Sequence, residues 1–196
     1  MIVRRGSRDA ILDAVISVLS TRGSDAVTIR NVAAEAGVSV GAVQHNFPTK
    51  EALIIGAMTA VNVRFRERLR LLLQNEESAE RRLRAFCEEV SCLTETGLTD
   101  AVVWTAFAAR ATTDPGIRAI HAADWGGTED FLQQLLDAAY PDAGITADDA
   151  ALVLAVTDGI AVARAAEKTD RMTAERAVRL IDAALAPLAA RQLPQG

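Results

Sequence analysis

With 196 residues the chain is long enough to bury a real core, as one compact unit or as a small domain joined to a medium one. Half of the residues are hydrophobic and only 4% are aromatic. Abundant alanine favours close-packed helices over a sheet, and no apolar run reaches the ~20 residues of a membrane span. A net charge of −5 is unfavourable for a DNA binder until the chain is divided. Residues 1–50 hold Arg4, Arg5, Arg8, Arg22, Arg30 and Lys50 against Asp9, Asp13, Asp25 and Glu35, 6 − 4 = +2, which leaves −5 − 2 = −7 for the rest.

Residues 1–6 are expected to form an arm whose Arg4 and Arg5 either reach a DNA minor groove or stay solvated. No apolar core follows those arginines, so no signal peptide is evident and a cytoplasmic protein is expected. From Ser7 to about Arg22 an amphipathic helix presents Ile11, Leu12, Val15, Val18 and Leu19 on one side, and Gly23 ends it. Thr28 is a good N-cap for the next helix, with Ile29, Val32, Ala33 and Ala36 at helical spacing behind it. Gly37 stops that helix because glycine takes a left-handed backbone without steric cost. Val38 plugs the corner, Ser39 caps a further short helix with Val43 and Phe47 on its apolar side, and Pro48 terminates it. Thr49 caps the helix that opens at Lys50.

Two helices joined by a short glycine-containing turn are either a helix-turn-helix unit, whose second helix enters the major groove, or an ordinary helical hairpin. The second helix favours the first reading. Val40, Gly41, Ala42, Gln44, His45 and Asn46 are small or able to hydrogen-bond base edges and phosphates, and no long acidic side chain stands among them. With Arg4, Arg5, Thr28, Arg30, Ser39 and Lys50 they make up the candidate DNA-contacting set.

From Lys50 a long helix is predicted to about residue 73, with Ile54, Met58, Val61, Phe65, Leu69 and Leu72 at steps of three and four. Arg64, Arg66, Arg68 and Arg70 resemble a basic patch, but alternate positions on a helix point in different directions, so they are read as mostly solvated. Beyond Asn75 the pattern stays helical, with breaks expected at 74–78, 95–100, 112–116, 126–127, 140–146 and 169–173. Thr99-Asp100, Thr128-Glu129 and Thr146-Ala147-Asp148-Asp149 are read as segment starts, the last a capping-box variant. Between Ala151 and Ala166 the charged residues are Asp158 and Arg164, and a helix apolar on every side must be covered on every side. The following helix, about 174 to 190, adds Val178, Ile181, Ala184, Leu185 and Leu188. Either the monomer buries this pair fully, or two such pairs meet across a two-fold axis as a four-helix bundle.

No catalytic constellation is visible, so an enzyme is not expected, and no cofactor or metal is implied. The two histidines, His45 and His121, are far apart, and Cys87 and Cys92 are read as small apolar residues. A ligand pocket is the more plausible chemistry. Phe65, Phe86, Trp104, Phe107, Trp125 and Phe131 are candidates for its walls, although each taken singly also suits plain core. Asp158 is an acid within an apolar helix. It caps a buried network, lies at a dimer seam or meets a polar or cationic effector.

Residues 28–50 with the preceding helix resemble the N-terminal domain of TetR-type (tetracycline-repressor-like) transcriptional regulators. The matching residues are Gly23, Thr28-Ile29, Val32-Ala33, Ala36-Gly37-Val38-Ser39, Gly41, His45, Phe47-Pro48, Lys50 and Leu53, about a quarter of the chain. The chain departs at Gln44, where the family usually has tyrosine, and at Asn46, commonly an aromatic there. The resemblance implies an all-α protein with a helix-turn-helix DNA-binding domain over 1–49 and an effector-binding and dimerisation domain over 50–196. It also implies an effector cavity bounded by the long helix and its successors, and dimerisation through the last two helices. The expected function is a homodimeric repressor released from a palindromic operator by a small-molecule effector. The alternative is a helical ligand-binding or scaffolding protein without operator recognition.

Overall fold

The computed structural model describes residues 7–167 and 170–192, and every regular element among them is helical. Arg4 and Arg5 lie outside the described residues. The α-helices run α1 Ser7–Arg22, α2 Ile29–Ala36, α3 Val40–Asn46, α4 Lys50–Gln74, α5 Ala79–Val90, α6 Glu95–Ala111, α7 Pro115–Ala139, α8 Ala147–Glu167 and α9 Ala174–Gln192. Short 3₁₀ turns lie at Ser24–Ala26 and Asp170–Met172.

The chain divides into two compact units. The first contains the described residues through Phe65 and also Val102–Arg118. Its core begins with the apolar stripe of α1, in which Ile11, Val15 and Val18 are fully buried. Val32 and Ala33 of α2, Val43 of α3 and Phe47 close over it. Leu53, Ile54, Ala57, Met58 and Val61 of α4 extend the same cluster, as do Val103, Phe107 and Ala111 of α6 and Ile117 of α7. Each of the larger side chains contributes about 1.5–3 kcal/mol by leaving water. Ion pairs fasten the unit, among them Arg64 with Asp13, and Arg110 with Glu51 Oε1 at 3.2 Å.

The second unit comprises Arg66–Ala101 and the described residues from Ala119 onward. Here α8 packs on α9, and both pack on α5. The buried side chains are Leu83 and Phe86 of α5, Leu132 and Leu136 of α7, Val153, Leu154 and Ile160 of α8, and Ile181, Leu185 and Leu188 of α9. Burial pushes the Cys87 thiol up to about 12, in keeping with its reading as a small apolar residue. Arg68 departs from its expected solvated state. It is half-buried between Glu89, at 2.8 Å, and Asp100, at 2.7 Å, because a guanidinium taken out of water needs carboxylate partners.

The segment boundaries need four corrections. The break expected at 95–100 lies at residues 91–94, where Cys92 takes a positive φ of 53°. Thr94 Oγ1 accepts from Gly97 N–H at 3.1 Å, so Thr99-Asp100 falls inside α6 rather than at its start. Gly126-Gly127 does not interrupt α7, and Thr128-Glu129 starts nothing. Thr128 Oγ1 donates instead to the Asp124 carbonyl one turn back, at 2.8 Å. Packing of Leu132, Leu135 and Leu136 outweighs the poor helix propensity of two glycines. The capping box at α8 forms as expected: Asp149 Oδ2 accepts from Thr146 N–H at 2.9 Å, and Thr146 Oγ1 accepts from Asp149 N–H at 3.3 Å.

A Cβ built on Gly126 or Gly127 meets nothing within 4 Å. Gly126→Ala and Gly127→Ala are therefore expected to stabilise the protein by up to about 1 kcal/mol each. A thermal melt of each variant checks this, and a lowered midpoint contradicts it.

Candidate nucleic-acid interface

The helix pair α2–α3 is built by its ends. Thr28 has extended backbone, and its side chain accepts from Asn31 N–H at 3.2 Å. The Asn31 amide in turn donates to the Ala26 carbonyl at 2.8 Å, which ties α2 to the preceding turn. At the far end Gly37 is left-handed, with φ 65° and ψ 32°. Val38 N–H donates to the Ala33 carbonyl at 3.0 Å and Gly37 N–H to that of Ala34 at 3.4 Å. These are the paired bonds of a Schellman ending. Val38 packs on the core of the unit, as its place in the corner predicts.

Ser39 then caps α3, its Oγ accepting from Ala42 N–H at 3.1 Å. Phe47 leaves α3 in extended conformation ahead of Pro48, and Thr49 Oγ1 accepts from Ala52 N–H at 3.1 Å to start α4. Val43 and Phe47 anchor the inner side of α3, at 0% and 3% exposure. The outer side carries Val40, Gly41, Gln44 and His45, all exposed. Ala42, Asn46 and Lys50 are half-buried, while Thr28, Arg30 and Ser39 are exposed. Asn46 is committed inward: its amide donates to the Ala42 carbonyl at 2.9 Å. The acid of this pair, Glu35, is held by Arg22 at 3.1 Å and by the Ser17 hydroxyl at 2.7 Å, which lowers its repulsion of a polyanion.

Two residues matter here that the sequence reading did not single out. Arg8 was counted only as charge, yet its guanidinium lies 4.8 Å over the Phe47 ring. Gly56 sits where α4 passes Phe47 and Leu12. A Cβ there would lie 2.7 Å from Phe47 Cε1 and 2.9 Å from Leu12 Cδ2. An isolated glycine inside a helical pattern was the available signal. Beside it opens a groove of about 620 Å³ lined by Arg8, Leu12, Phe47, Ile55, Gly56 and Val63 among others, and by none of the predicted effector aromatics.

Those aromatics fall in both units. In the first, Phe107 is fully buried, Trp104 lies 6.5 Å from it between ring centroids, and Phe65 is half-buried. In the second, Phe86 meets Phe131 at 5.8 Å, and Trp125 stacks on His121 at 6.1 Å. Asp158 is half-buried beside Thr157, whose hydroxyl is spent on the Val153 and Leu154 carbonyls. Burial first, then the carboxylates of Glu89 and Asp100, push the Cys92 thiol up to about 12, and Asp158 acts in the same direction. Arg68, paired with both Glu89 and Asp100, acts the other way. Among the described residues no cluster of three or more His, Cys, Asp or Glu could hold a metal ion, and no helix is long and apolar enough to cross a membrane.

Residues 11–57 match the family model of bacterial regulatory proteins of the tetR family, and residues 79–190 match that of the C-terminal part of BetI-type transcriptional repressors. The HTH-type transcriptional regulator PksA of Bacillus subtilis is 33% identical over 105 residues, 53% of this chain and 51% of that protein. The chain thus spans about half the length of the curated relatives it matches. A transcriptional regulator from Rhodococcus sp. Rha1 superposes with a TM-score of 0.82 at 28% identity, over 93% of this chain and 96% of that one. A regulator from Saccharomonospora viridis, solved in complex with choline, has the same fold: TM-score 0.80, 19% identity, 91% of this chain and 95% of that one.

Substituting Gly56 sets two effects against each other. Alanine gains about 1 kcal/mol of helix propensity, but wedging a methyl against an aromatic ring costs typically ~1–3 kcal/mol. Gly56→Ala is expected to destabilise the protein in urea titration, opposite in sign to Gly126→Ala; an unchanged or higher midpoint contradicts this packing.

Proposed function

The chain belongs to the TetR family of bacterial regulatory proteins, and on that premise we propose that it is a homodimeric repressor released from a palindromic operator by a small-molecule effector. The family is one of transcriptional regulators, not of enzymes. The observation that carries the proposal is the outer side of α3. Two buried anchors, Val43 and Phe47, hold the helix, and opposite them stands a surface of small and hydrogen-bonding side chains. Gly41 supports it further. A Cβ there would meet only Ser39 Oγ, at 3.9 Å, so nothing inside the protein requires glycine; its smallness serves close approach to a duplex. Thr28, Arg30, Ser39 and Lys50 supply phosphate contacts, joined by Arg4 and Arg5 of the arm, and Val40, Gly41, Ala42, Gln44 and His45 face the groove, with Asn46 bracing the helix behind them.

In this reading residues 1–49 bind DNA and residues 50–196 bind effector and the second subunit. The second copy covers the outer side of α8 and α9. Leu152 is 60% exposed, and Ala155, Gly159, Ala183, Ala186 and Ala190 are exposed with it. Small side chains let paired helices approach closely, and a large exposed leucine among them marks a contact. Two heads related by that axis read half-sites one helical turn, or a multiple, apart. Effector lodges against Trp104 and Phe107, the first choices among the candidate aromatics. The choline-bound relative supports a small organic cation as the effector. Effector binds better to a state in which the heads are wrongly spaced, and the operator is released in proportion to that difference in affinity.

Operator fragments selected from genomic DNA allow the test by mobility shift. Gly41→Trp is expected to abolish the shift and His45→Ala to weaken it about tenfold or more; unchanged affinity in both contradicts the docking. In sedimentation at micromolar concentration the wild type is expected to be a dimer and Leu152→Asp largely monomeric. A monomeric wild type contradicts the assembly, and a dimer that shifts no fragment favours the scaffolding alternative.

A further inference from the structure

Base reading by α3 reduces to few side chains. Val40, Gly41 and Ala42 carry no side-chain polar atom, and the half-buried Asn46 is turned back on its own helix, its amide nitrogen donating to the Ala42 carbonyl at 2.9 Å. Val43 and Phe47 face the core. Gln44 and His45 remain, both exposed. The two differ in what they can offer a base pair. A glutamine amide has a donor and an acceptor side by side, matched to the N6 donor and N7 acceptor of adenine in the major groove; an imidazole has no such paired edge. Gln44 lies one turn beyond Val40 and three residues beyond Gly41, so at helical spacing it shares the outer face with both. Val40, 44% exposed, adds an apolar contact suited to a thymine methyl on the same face.

We infer that Gln44 reads an adenine, through paired hydrogen bonds to N6 and N7, in each half-site of the operator. The inference rests on the DNA-binding reading above and specifies part of the sequence that reading leaves blank. His45 then acts through a single contact to a base or phosphate, and Asn46 supports the helix rather than the duplex.

Selection from a randomised duplex library, run in parallel on the full chain, on Gln44→Ala and on Gln44→Arg, tests it. The wild type is expected to enrich adenine at one symmetric pair of positions. Gln44→Ala is expected to lose preference at that pair alone, roughly five- to hundredfold, and Gln44→Arg to shift it toward guanine. Retained preference at the other positions shows that the variants are folded and docked. If Gln44→Ala loses affinity uniformly while every base preference survives, Gln44 touches phosphate and the inference is overturned, with DNA binding still standing. If the wild type enriches no duplex, the inference and the DNA-binding reading fall together.

Discussion

The contact of Phe47 with Leu12 and Gly56 is the constraint from which the rest of the head follows. A seven-residue helix such as α3 is far too short to be stable alone. It exists because Ser39 caps one end and Phe47, locked at the other, is pressed between α1 and α4. That ring sets the angle at which the outer side of α3 faces solvent. It also explains why α4 carries a glycine at 56, where any larger residue would propagate straight into the recognition helix.

The same core ties the C-terminal part of α6 to α3 and α4. Val103, Phe107 and Ala111 of α6 belong to one cluster with Val43, Phe47 and Leu53, and Arg110 on α6 reaches Glu51 in the first turn of α4. A displacement of α6 therefore cannot leave α4 and Phe47 where they are, because close-packed side chains transmit a shift rather than absorb it. Arg110 Nε is buried without a hydrogen-bond partner.

What the sequence made legible was what is local. Thr28, Gly37, Ser39, Thr49 and the Thr146–Asp149 box each act within a few residues, and every one forms the cap its chemistry implies. The helix-turn-helix and the all-α class follow from such signals. The errors came where tertiary packing overrides local preference. Gly126-Gly127 reads as a break until the buried leucines behind it are counted. Arg68 reads as solvated because Glu89 and Asp100 are distant in sequence. The entry of α6 into the head core had no local signature at all, since Phe107 looks equally like a pocket wall and a core residue.

The central claim is that two copies of α3 lie in successive major grooves of one duplex. Hydroxyl-radical footprinting of the full chain on a selected fragment tests it most directly. The account predicts two protected stretches related by two-fold symmetry, on one face of the duplex, with centres about one helical turn or a multiple apart. A single protected stretch, or protection without symmetry, would contradict it.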